Sequence, residues 1–121
     1  MEITAGKDYF SAVLYSRDLS NANLEAVGFN FANLSQGILV GANLKGAKLL
    51  CANFFKANLN NVDLRWANMN GANLAQASLV RADLRYADLT HSNLIDADLS
   101  GANLEGAILE GAIMPDGTIH H

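Results

Sequence analysis

Arg81-Ala82-Asp83-Leu84-Arg85-Tyr86-Ala87-Asp88-Leu89 returns alanine, aspartate and leucine in the same order after five residues. Stepping by five from Leu84 in both directions meets a large apolar residue every time, from Leu14 through Phe29, Phe54 and Met69 to Met114. That is 21 consecutive hits, and 17 of them are leucine, although the chain has only one other leucine, Leu50. Two residues before the hit stands Ala in 16 of the 21 cases, with Arg17, Val27, Gly37, Val62 and Ser92 as exceptions; one residue before it, 14 are Asn or Asp. The unit is therefore A-(N/D)-L-x-x. Its register reaches back to Tyr9 and is expected to run forward to Ile119.

Period five fits neither regular element. An α-helix would turn the leucine column by about 140° at each step and smear it around the surface. A single flat strand would send alternate leucines to opposite faces. A coil in which each unit forms one side and then turns a corner buries both columns together. Ala and Leu, two apart, point inward, and the Asn or Asp between them points outward, where its side chain can bond nearby backbone as in an Asx turn.

Gly41-Ala42-Asn43-Leu44 and the stretch from Arg81 to Leu89 resemble the consensus of the pentapeptide-repeat family, and the resemblance covers about nine-tenths of the chain. Gly6-Lys7-Asp8-Tyr9 and Met114-Pro115-Asp116-Gly117-Thr118 are similar to stretches of cyanobacterial-type members. The resemblance implies an all-β fold, a right-handed quadrilateral β-helix with four units per coil. On that count the chain forms just over five coils, a rod about 25 Å long at strand spacing. Residues 1–6 are expected as a short N-terminal cap, 7–114 as the β-helix and 115–121 as a C-terminal lid or tail. No insertion breaks the register, so no long loop is expected.

Composition bounds the function. Of 121 residues, 50% are hydrophobic but 7% aromatic, and 17% are charged, which argues against disorder. No apolar run reaches the ~18–20 residues of a membrane span. Met1 to Gly6 lacks the basic and apolar regions of a signal peptide, so the expected location is cytoplasmic. The single Cys51 excludes an internal disulfide and suits a reducing compartment. The net charge of −4 disfavours binding of nucleic acid through its phosphates. Charge is uneven: no Lys or Arg follows Arg85, and Asp88, Asp96, Asp98, Glu105, Glu110 and Asp116 give that end −6, against eight bases and six acids in the first 87 residues.

Positions twenty apart should stack, which lets the surface be read as four faces. The first carries the ladder Asn33, Asn53, Asn73 and Asn93, whose amides could bond one another along the rod. Beside it run Tyr15, Ser35, Phe55, Ala75 and Ile95, the face with least charge in its middle; Tyr15, Phe55 and Ile95 are the candidate protein contacts. The third face sets Arg65 and Arg85 beside Trp66 and Tyr86. Basic and aromatic residues so interleaved can bind single-stranded nucleic acid. Asp63 and Asp83 are instead expected to pair with the arginines across coils, as a solvated ion-pair ladder.

A filled rod offers no concave site for catalysis, and Asp83 and Asp88 occupy the turn slot of the repeat, so no enzyme activity is expected. Cys51 and His91 would lie two coils apart, too far to share a metal ion, and His120 and His121 are terminal; no metal and no cofactor are assigned. The expected function is a non-enzymatic β-helical scaffold whose surface binds a partner protein, with no small-molecule substrate, nucleic acid or membrane. The alternative implied by the resemblance is a DNA mimic that binds DNA gyrase or another topoisomerase. At the ends, Lys7 and Arg17 replace the inward alanine at the N-terminus, with Met1 and Ile3 as a plug. The C-terminal coil leaves Leu99, Leu104, Leu109 and Met114 under only seven residues, so a homodimer through that end is expected.

Overall fold

The computed structural model describes residues 2–121; Met1, half of the expected plug, lies outside them. The backbone pairs through single-residue parallel bridges from the residue before each central apolar position to the residue twenty further on, Asp8 to Gly28, Val13 to Asn33, Asp18 to Ile38 and Asn23 to Asn43, and so on to Asn93 with Ile113. Four bridges fall in every twenty residues, so each coil has four sides, and among the described residues there is no longer strand.

The corner explains why five residues suffice. The central residue's carbonyl accepts from the N–H three residues on, as Ala32 N–H donates to Phe29 O at 3.0 Å and Ala57 N–H to Phe54 O at 2.9 Å. The second corner residue takes a left-handed φ, 60° at Phe31, 62° at Trp66 and 61° at Tyr86. For residues with a Cβ this conformation is strained, and here it recurs at nearly every corner. Coil-to-coil hydrogen bonds offset it, for example Leu34 N–H to Asn53 O at 2.7 Å and Asn33 N–H to Ala12 O at 2.9 Å. A lone coil has the strain without these bonds, so order must come from stacking neighbours.

Both inward columns are filled as the pattern requires. Leucines 24 to 94 of the column, with Phe29, Phe54 and Met69, are buried, and so are the alanines beside them from Ala32 to Ala87, while Ala22 is partly buried. Each such large side chain contributes roughly 1.5–3 kcal/mol by leaving water.

The two ends differ. At the N-terminus Leu14 and Leu19 are already buried, and the Tyr9 ring packs 5.9 Å from that of Phe29. Ile3 packs against the core, and Thr4 N–H donates to the Tyr9 hydroxyl at 2.9 Å. At the C-terminus Leu99, Leu104, Leu109 and Met114 remain partly exposed. The register does not run on to Ile119. Met114 N–H donates to Thr118 O, the chain turns at Gly117 with φ 86°, and Ile119 bridges Ile113 antiparallel. Pro115 and the extra residue in this turn replace the two-residue corner, so the tail lies along one edge. Ile119, 54% exposed, does not fold over the core.

Candidate interaction surface

The residue before each centre sets the surface by bonding locally. Asn33, Asn53, Asn73 and Asn93 each turn Oδ1 to the backbone N–H two residues on, at 3.0 Å in all four cases. This corrects the expected amide ladder: the acceptor oxygens are held by their own corners. A cross-coil Asn–Asn bond is found instead on the third face, from Asn43 Nδ2 to Asn23 Oδ1 at 3.5 Å. Coils are also tied by asparagines in the first corner position. Asn60 Oδ1 accepts from Val80 N–H at 2.9 Å and from the Ser78 hydroxyl, and Asn30 Oδ1 accepts from Leu50 N–H at 3.0 Å. The sequence shows no sign of this, because corner residues vary and their direction depends on the left-handed residue that follows.

The proposed contact column is not continuous. Tyr15 is 56% exposed, its hydroxyl donating to Gln36 Oε1 at 3.3 Å, and Ile95 is 37% exposed. Between them Ser35 and Ala75 are buried, and Phe55 is half-buried, with the Lys56 ammonium 5.4 Å from its ring centre. Phe55, a candidate contact in the outward column, is thus only partly accessible.

On the third face the carboxylates pair mainly within their own unit. Arg65 donates through Nε to Asp63 Oδ1 at 3.0 Å and through Nη2 to Asp63 Oδ2 at 2.7 Å, and Arg85 holds Asp83 in the same way at 2.9 and 2.7 Å. One contact crosses coils, Arg65 Nε to Asp83 Oδ2 at 3.6 Å. The expected cross-coil ladder is thus mostly a pair of two-residue forks, because an arginine just after its aspartate reaches it without spanning the coil gap. These side-chain hydrogen bonds hold the Asp63 and Asp83 carboxyls below the usual range and push both guanidinium groups upward. Asp18, Asp98 and Asp116 are also lowered, chiefly by the hydroxyls of Ser20, Ser100 and Thr118.

Beside the forks the Trp66 and Tyr86 rings stack at 4.6 Å and 14°. Second corner side chains lean toward the next coil. A Cβ at Gly71 would stand 3.0 Å from the Cys51 sulfur, and His91 lies across Gly111 in the same manner. Cys51 and His91 therefore point along one column from rungs two coils apart. Among the described residues no three His, Cys, Asp or Glu side chains gather where they could hold an ion. No helix long and apolar enough to cross a membrane occurs among the described residues. A surface depression of about 160 Å³ lies near the N-terminal end between Lys7, Asp8, Phe10, Gly28 and Lys48.

This geometry, single bridges at a twenty-residue offset around filled Ala and Leu columns, agrees with the comparison to known families. The model for pentapeptide repeats matches residues 29–65, 38–76, 57–94 and 77–115. The chain belongs to the pentapeptide repeat family. Among solved structures it is similar to Rfr23, a pentapeptide repeat protein of the cyanobacterium Cyanothece 51142, with 34% identity and a TM-score of 0.60. The match covers 86% of this chain and 64% of Rfr23, so the chain spans somewhat under two thirds of that protein's length. A pentapeptide repeat protein of the Arabidopsis thaliana thylakoid lumen, AT2G44920, is 25% identical, with a TM-score of 0.50 over 97% of this chain and 71% of its own. QnrB1, a plasmid-mediated fluoroquinolone resistance protein, shares the fold at 17% identity, with a TM-score of 0.57 over 93% of this chain and 66% of its own. Likeness to such proteins implies the right-handed quadrilateral β-helix. None of the curated proteins matches the chain.

Proposed function

We propose that this pentapeptide repeat chain is a non-enzymatic β-helical scaffold of about five coils that binds a partner protein in the cytoplasm. The observation that carries the reading is the division of each unit: inward residues are spent on the core, and every remaining side chain stands in a column at fixed spacing. Such a rod presents a preformed surface, which limits the ordering cost of binding. Tyr15 and Ile95 are the accessible residues of the proposed contact column, with Phe55 beneath Lys56 between them. Capture of partners from the source cell, followed by mass spectrometry, tests the reading with a Tyr15→Ser, Ile95→Ser variant as control. A folded variant that captures the same protein equally well discards this column.

We also propose that two copies pair through the C-terminal coil, whose partly exposed Leu99, Leu104, Leu109 and Met114 are left uncovered by the tail. A two-fold contact there closes the edge without forming fibres. The DNA-mimic alternative has in its favour the −6 end after Arg85. A gyrase supercoiling assay separates the two readings: unchanged activity at micromolar protein removes the mimic.

A further inference from the structure

One surface column contains an empty rung. Ala26, Gly46, Trp66, Tyr86 and Gly106 occupy the same second corner position in successive coils. Tyr86 lies flat over Gly106, where a Cβ would collide with the ring, and Trp66 lies over Tyr86. The next rung toward the N-terminus is Gly46, about 4.8 Å away at strand spacing. Apart from its chain neighbours Lys45 and Ala47, nothing among the described residues stands within 4 Å of where a Cβ at Gly46 would be. With no side chain on Gly46 to cover it, the face of Trp66 turned away from Tyr86 is left open, and Trp66 is 61% exposed.

The charges around this rung are uncommitted. Arg65 and Arg85 are held by Asp63 and Asp83, whereas Lys45 and Lys48, on either side of Gly46, enter no ion pair among the described residues. Among the described residues the cation over a ring is Lys56 at Phe55, not one at Trp66. The surface depression adjoins the rung: Ala26, one coil above Gly46, and Lys48 both line it, and Phe10 forms part of its rim.

We propose that this corner binds a protein segment that places an aromatic side chain over Gly46, against the open face of Trp66, with flanking carboxylates on Lys45 and Lys48. The proposal rests on the scaffold reading and names the chemistry of the partner. Ring stacking and two separate cations match an aromatic residue between acids. A polyphosphate or nucleic-acid strand fits less well, because Asp8 lines the same depression and Glu25 precedes Ala26, so a dense negative charge meets carboxylates as well as lysines.

Trp66 is the sole tryptophan, so its emission reports the site directly. The probe is a short synthetic peptide with phenylalanine between aspartates, titrated to millimolar concentration against the whole chain. A saturable blue shift and reduced acrylamide quenching are expected. The same peptide with lysines in place of aspartates should leave the emission unchanged. Gly46→Tyr fills the rung from within; Trp66 and Tyr86 already adopt the same backbone conformation, so the fold should survive. That variant should show the blue shift without peptide and no longer respond to it. Lys45→Ala with Lys48→Ala should weaken the response at least tenfold. No response to the acidic peptide, equal response to the basic one, or saturation by adenosine monophosphate in place of peptide overturns the proposal. If the Gly46→Tyr chain still captures its cellular partner, this site is wrong while the scaffold reading stands. If the peptide titrates as expected but no cellular protein is captured, the scaffold reading fails instead.

Discussion

Tyr86 occupies the space that a Cβ on Gly106 would need, while the equivalent space beside Gly46 is empty. Both glycines have a left-handed φ, 71° and 67°, so alanine at either pays the same backbone cost. Gly106→Ala should therefore cost about 1 kcal/mol more than Gly46→Ala, the size of a modest overpacking penalty. It should also push Tyr86 off Trp66, seen as a change in tryptophan emission that Gly46→Ala does not produce. Equal denaturant midpoints and identical emission would show that Tyr86 does not rest on Gly106.

Ser92 stands in the inward alanine slot, fully buried, with no partner for its hydroxyl among the described residues. An unpaired buried hydroxyl costs about 1–3 kcal/mol. Ser92→Ala removes it and restores the residue that most other coils carry there. The expected gain is about 1 kcal/mol, read as a rise of several degrees in Tm. A fall in Tm would show that the hydroxyl has a partner in solution.

Leu64 and Asn60 test inward against outward. Leu64→Asn empties a buried site and buries an amide, and should cost roughly 4 kcal/mol or more. An outward asparagine would ordinarily be near neutral on substitution. Asn60 is not, because its Oδ1 receives Val80 N–H and the Ser78 hydroxyl from the next coil. Asn60→Ala should cost about 1–2 kcal/mol. Urea melts rank the two, and a loss near zero for Asn60→Ala would mean that water replaces the bridge.

Acid should weaken the rod through Asp63 and Asp83. Their folded-state values are lowered by Arg65 and Arg85, so the unfolded chain takes up protons first as pH falls. Their contribution is complete above the ordinary carboxylate value and is lost as pH drops through the depressed one. Both forks are about a third exposed, so solvent screens them and the contribution of each is small. Urea midpoints measured from neutral pH down to strongly acidic pH should fall below about pH 4, near the unperturbed carboxylate value, and Asp63→Asn with Asp83→Asn should flatten that fall. An unchanged profile would assign acid sensitivity to other carboxylates.

The C-terminal pairing has a salt signature. Bringing two ends of −6 together is opposed by repulsion that salt screens, while contact between leucines is not weakened. Light scattering on a sizing column should show more dimer at high salt, and Leu104→Lys should give monomer throughout. A monomer for the parent chain at all concentrations and both salts discards the pairing.

The period of five was enough to read the inward columns, because burial of Leu and Ala depends only on which residues face the axis. Leu14 to Leu94 and the alanines beside them lie where the spacing puts them. The outward chemistry was less legible. Asn53 could have bonded along the rod or to its own corner, and only the backbone angle at the corner decides for Phe55 N–H. The Asp63–Arg65 fork was misjudged for the same reason: residues two apart are close only once the corner is known. The Trp66–Tyr86 stack follows from the twenty-residue offset, but the bare rung at Gly46 needed the direction in which the column leans.

The offset of the bridges also quantises how such a chain can change length. Duplicating or deleting twenty residues leaves every later column in line with those before it. Adding or removing five keeps Leu on Leu and Ala on Ala in the interior, yet carries all downstream side chains round to the adjoining side of the rod. A single five-residue deletion between Trp66 and Tyr86 would thus spare the core while moving the tyrosine to a different face. In this architecture the interior tolerates any whole unit, and the outer pattern remembers only whole turns.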